Sequence, residues 1–111
     1  MLNAPITNPK IAQPQAERSF KMSDVKSTLN ERGSRYGTFL DNATTSQTLK
    51  HYIETHQNYQ RLAPDQKEAL TVICQKISRI LSGDPTYPDN WHDIAGYAIL
   101  VEDRLNGNLA R

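Results

Sequence analysis

With 111 residues, 37% of them hydrophobic and 23% charged, the chain has material for one domain with a modest core plus a polar appendage, and not for two domains. Thirteen basic against twelve acidic residues leave a formal charge of +1, which excludes whole-molecule attraction to a polyanion such as duplex DNA and leaves only a local basic site open. The lone cysteine, Cys74, excludes an internal disulfide and a thiolate metal site and reads as a small buried hydrophobe. No apolar run approaches the roughly 18 residues of a membrane span, so a cytoplasmic protein without membrane contact is expected.

Residues 1–22 hold Pro5, Pro9 and Pro14 among Asn, Gln and Lys, with no helical or strand periodicity. A disordered or extended polar tail is expected there, and a chain beginning at Met22 is expected to fold normally. The helical domain is expected over residues 23–108. Its first helix reads from Ser23 as N-cap through Val25 and Leu29 to Arg32, stopped by Gly33. Phe39, Ala43, Ser46, Leu49, Ile53 and His56 recur at helical spacing and predict a second helix from about Thr38 to Tyr59.

Pro64 opens a third helix, with Asp65 and Glu68 near its positive end, an apolar stripe of Leu70, Ile73, Ile77, Ile80 and Leu81, and a stop at Ser82-Gly83. A proline-rich turn, Gly83 to Pro88, leads to a fourth helix capped by Asp89 or Asn90, predicted to carry Trp91, Ile94, Ala98, Val101 and Leu105 inward and to end at Asn106-Gly107. Ala95-Gly96 on that helix would let a neighbouring backbone come close. No segment alternates like a strand. The fold predicted is therefore all-α, a small bundle of three to four helices whose leftover apolar stripes call for completion by oligomerisation.

Three blocks carry a resemblance: Glu31-Arg32-Gly33-Ser34-Arg35-Tyr36-Gly37, Lys76 to Pro85, and Asp89-Asn90-Trp91-His92-Asp93-Ile94-Ala95-Gly96-Tyr97-Ala98. Together they resemble small phage and prophage proteins with an Arg-Tyr-Gly turn and an Asp-Ile-Ala-Gly-Tyr helix. These in turn are similar to the MazG-like all-α nucleoside triphosphate pyrophosphohydrolases. The resemblance covers about residues 31 to 105. It implies a homodimeric or homotetrameric helical bundle, in the host cytoplasm if phage-encoded, where acidic residues on two successive helices hold Mg²⁺ against a nucleotide. The pattern implied is Glu-Glu-x-x-Glu on one helix and Glu-x-x-Asp on the next. In this chain the first of those helices has only Glu68, Asp93 matches the final Asp, and Asn90 stands where a Glu would be.

On helical spacing, Lys76 and Arg79 share a flank of the third helix, and Asp89 and Asp93 project together from the fourth. One reading is an interhelical salt-bridge network that fixes register. The other is a ligand site in which Glu68, Asp89 and Asp93 bind Mg²⁺ while Lys76 and Arg79 engage phosphate. Arg35 flanks a glycine turn entering a helix, where backbone N–H groups favour an anion; the same turn may also simply be solvated. Asn42 is placed to read a base or ribose edge, or to bond locally to backbone. Trp91 and Tyr97 are candidates for base stacking or for the core. His51, His56 and His92 lack partners at metal spacing. Two functions follow. The first is a nucleotide-directed protein, whether a weak Mg²⁺-dependent pyrophosphohydrolase or a non-catalytic binder. The second is a phage interaction protein that binds or blocks a host protein through its helical surface.

Overall fold

The computed structural model describes residues 14–110, with side chains from Met22 onward. The described residues are all-α: α1 (Pro14–Tyr36), α2 (Phe39–Glu54), a 3₁₀ turn (Gln57–Arg61), α3 (Pro64–Ser82) and α4 (Pro88–Leu105), with no strand among them. None of these helices is long and apolar enough to cross a membrane. The chain divides into two compact units, one through Arg32 and one from Gly33 onward. Of the segment expected as a polar tail, residues 1–13 lie outside the described residues, and 14–22 belong to α1.

Helix α1 starts earlier and ends later than its sequence predicts. Gly33 is helical, and the stop falls at Gly37, whose φ of 86° lies in the left-handed region that glycine tolerates and whose N–H donates to Gly33 O at 3.0 Å. Thr38 then caps α2, its hydroxyl accepting from Asp41 N–H. Helix α2 is shorter than predicted. At Thr55 and His56 the N–H groups turn to carbonyls three residues back, the tighter 3₁₀ pattern, and the Thr55 hydroxyl also donates to Tyr52 O. Helix α3 begins at Pro64 and ends at Ser82 as predicted, with the Gln66 side chain accepting from Ala63 N–H. Helix α4 starts at Pro88, before the predicted cap, because a proline at the first helical position has no N–H to satisfy.

Helix α3 is the middle element of the second unit, packed on α2 along one edge and on α4 along the other. Two ion pairs mark the α3–α4 edge, Asp65 with Arg104 and Lys76 with Asp93; the partners lie eleven residues apart on both helices (76 − 65 and 104 − 93), so the helices run antiparallel in one register. At about 100° per residue, buried Cys74 and Ser78 lie roughly half a turn from that edge, toward α2 and its buried Ser46. The fully buried side chains are thus small, Ala69, Cys74 and Ser78 on α3, and they let the helices approach closely along both edges. Burial pushes the Cys74 thiol above its ordinary pKa, partly offset by the charge of Lys50.

This arrangement corrects the predicted inward stripes. Leu70, Ile77 and Leu81 stand a little over a quarter turn from the α3–α4 edge, and Trp91, Ile94, Ala98, Val101 and Leu105 stand equally far from it on α4, in the same rotational sense. On antiparallel neighbours that sense leads to one common face of the layer. The construction carries the face on to Leu49 and Tyr52 of α2. Leu81 is 68%, Leu105 58% and Trp91 55% exposed, so this face is open rather than inward. The physical reason is architectural: a helix in the middle of a layer buries two edges, and its apolar stripe falls between them.

Candidate functional site

Two places gather the residues singled out from the sequence. The first is the end of the unit where the Arg35-Tyr36-Gly37 turn meets the Gly83–Pro88 loop. Asp84 N–H donates to Arg35 O at 2.8 Å, and the two glycines face backbone with no room for a side chain. A Cβ on Gly83 would overlap Arg35 O and the Tyr36 main chain, and one on Gly37 would overlap the carbonyl of Ser82. The Asp84 carboxylate accepts from Thr86 N–H and its hydroxyl, which holds that carboxyl below the usual range, and Trp91 Nε1 donates to Pro85 O at 2.9 Å. The loop is therefore rigid for reasons of hydrogen bonding as well as proline content.

Above these turns runs an alternation of guanidinium and phenol. Arg35 lies over the Tyr87 ring at 5.0 Å and donates to its hydroxyl at 3.0 Å. Tyr87 meets Tyr36 edge-on at 5.6 Å, and Arg79 covers Tyr36 at 5.0 Å. The Tyr87 hydroxyl donates to Asp89 at 3.2 Å; burial first, then that hydrogen bond, raises its pKa. Arg35 and Arg79 thus spend their planar faces on tyrosines, a use of arginine that lysine does not match. Tyr87→Phe keeps the ring and loses the hydroxyl, so it is expected to lower the melting temperature by only about 2–4 °C, and Tyr87→Ala by several times more, in thermal melts followed by circular dichroism.

Asn42 bonds locally: its Nδ2 donates to Tyr36 O at 2.7 Å and Thr38 O at 2.9 Å, while its buried Oδ1 has no hydrogen-bond partner. Asn90, 1% exposed in the first turn of α4, buries its Nδ2 without a partner. Trp91 lies on the open face rather than in the core. Tyr97 is half-buried and borders a groove of about 350 Å³ on the outer side of α4, with His92, Asp93, Gly96, Ile99 and Leu100.

The second place is the α3–α4 edge. Lys76 pairs with Asp93 at 2.9 Å, and this bond, followed by the charges of Lys76, His92 and Arg79, holds the Asp93 carboxyl below its ordinary range. Arg104 grips Asp65 through two hydrogen bonds of 2.8 and 2.6 Å and lowers its pKa likewise. Of the four charges expected to face one another, Lys76 and Asp93 meet directly, Arg79 turns to Tyr36, and Asp89 to Tyr87.

The Mg²⁺ implied by the resemblance does not fit these side chains. In the register set by the two ion pairs, Glu68 lies level with about Val101, roughly 12 Å along the helix from Asp93. Asp93 is committed to Lys76 and Asp89 to a phenol, and among the described residues no group of three or more His, Cys, Asp or Glu is placed to share a metal. His51, His56 and His92 are exposed. What the sequence reading missed is Tyr36, Tyr87 and the Asp65–Arg104 pair. The last could have been found, because Asp65 and Arg104 repeat the spacing of Lys76 and Asp93.

Compared with known proteins, the chain matches no family model, no curated protein and no solved structure.

Proposed function

We propose that this chain is an interaction protein whose working surface is the open apolar face of the α2–α3–α4 layer. One observation carries the reading: the apolar stripes of two antiparallel helices point to the same uncovered side, with Leu81, Trp91 and Leu105 projecting from it. Contiguous apolar surface of that kind is costly in water and marks a place where another surface docks. The charged residues named from the sequence support it indirectly, since they are engaged in holding turns and helix register. A resemblance to phage proteins is in keeping with a host protein as the partner.

A dye test addresses this directly. At submicromolar chain concentration an anilinonaphthalene sulfonate dye is expected to fluoresce on the native chain, and Leu81→Asp with Leu105→Asp is expected to remove more than half of that signal. Dye binding indifferent to both substitutions would reject the reading. A second reading, nucleotide binding without a resident metal, is favoured by the unpartnered Asn42 Oδ1 beside the Arg35–Tyr87 contact. Calorimetry with nucleoside triphosphates, with and without Mg²⁺, tests it: saturable heat lost in Asn42→Ala supports it, and no heat rejects it.

A further inference from the structure

We infer that the occupant of the open face is a second copy of this chain, two layers meeting face to face about a two-fold axis as a six-helix sandwich. This rests on the interaction reading above and names its partner. The footprint has the right size. Helix α3, with 19 residues, is about 28 Å long, and three helices spaced 8–10 Å apart span a similar width, so the face offers roughly 800 Å² per copy, the area of a stable interface.

Charge selects the same partner. The charged groups along the α3–α4 edge, Asp65, Lys76, Asp93 and Arg104, are already paired with one another, and the stripe residues between the edges are uncharged. An uncharged surface can meet its own image without opposing like charges, as a two-fold interface requires. Its relief suits this too. On α4, Trp91 and Leu105 stand two turns either side of exposed Ala98, giving projecting side chains flanking a small one, an arrangement that interdigitates with itself.

Sedimentation or light scattering on the full chain, from about 1 to about 100 μM, reads the outcome. Doubling of mass is expected, with a blue shift in emission of the single tryptophan, Trp91, as it leaves water. Leu81→Asp and Leu105→Asp alter residues already exposed in one copy, so the fold survives, and each is expected to weaken association at least tenfold. Ile99→Asp, on the outer side of α4, is expected to leave association unchanged. A single-copy mass across the whole range overturns the proposal, as does equal weakening by Ile99→Asp. The dye then separates the two ideas: a single copy that still binds dye leaves the interaction reading standing with a foreign partner, whereas a single copy that binds none removes both.

Discussion

Gly83→Ala is expected to cost about 3 kcal/mol or more and to lower the melting temperature by roughly 10–20 °C. The new Cβ would have to occupy the space of Arg35 O and the Tyr36 main chain, and these are backbone atoms with no side-chain torsion by which to withdraw. Any escape must separate the two turns, which loses the Asp84 N–H bond to Arg35 O and loosens the arginine–tyrosine alternation above it. Gly37→Ala should behave similarly for a compound reason: its φ of 86° alone costs an L-residue about 1–2 kcal/mol, and Ser82 blocks the Cβ. Gly33→Ala and Gly96→Ala are the internal controls. Nothing lies within 4 Å of either Cβ and both residues are helical, so each should stabilise by about 0.5–1 kcal/mol. Denaturation melts of the four variants decide the matter, and a Gly83→Ala chain melting with wild type would mean that the turns do not interlock.

Those glycines also show where local sequence runs out. Gly33 and Gly37 are both plausible helix stops. Which of them takes the left-handed conformation depends on where Ser82 comes to rest, a contact more than forty residues away in the chain. Local signals served well where chemistry is local. Pro64 and Ser82-Gly83 bound α3 because proline lacks an N–H and glycine ends helices, and the Lys76–Asp93 contact follows from joining two helices by a short rigid loop. The inward stripes were misread for a different reason. Periodicity reports that a helix has an apolar side, not what covers it, and in this layer the small residues Ala69, Cys74 and Ser78 line the edges while the large ones are left facing outward.

The candidate site divides the same way. Each of Arg35, Asn42, Arg79, Asp89 and Asp93 was visible as a residue type suited to anions, bases or metal, and each is used in the fold for a contact with backbone, a ring or a neighbouring charge. Residue type indicates capability, whereas partners decide use.

Asp93→Asn tests that decision at the α3–α4 edge. Lys76 is nearly covered, with 14% of its side chain exposed, while Asp93 is 41% exposed; removing the carboxylate charge strands a largely desolvated ammonium, but solvent screens part of the loss. A cost of about 1–2 kcal/mol is expected, a drop of roughly 5–15 °C in melting temperature. In a Lys76→Met background the same change should cost markedly less, because the ammonium is no longer there to strand. The pH dependence has a definite sign. Lys76 and Arg79 from α3 and His92 on the same helix all favour the ionised carboxylate, so the folded-state pKa of Asp93 lies below its unfolded value. Its contribution is therefore fully present above the unfolded pKa of about 3.9 and is lost as pH falls through the lower folded value. Wild type should lose stability below about pH 4, and Asp93→Asn should lose less there, its melting curve lying below wild type at neutral pH and converging on it in acid. A metal ligand would give the opposite result at neutral pH, with Asp93→Asn melting like wild type once Mg²⁺ is chelated and nucleotide binding disappearing with the substitution.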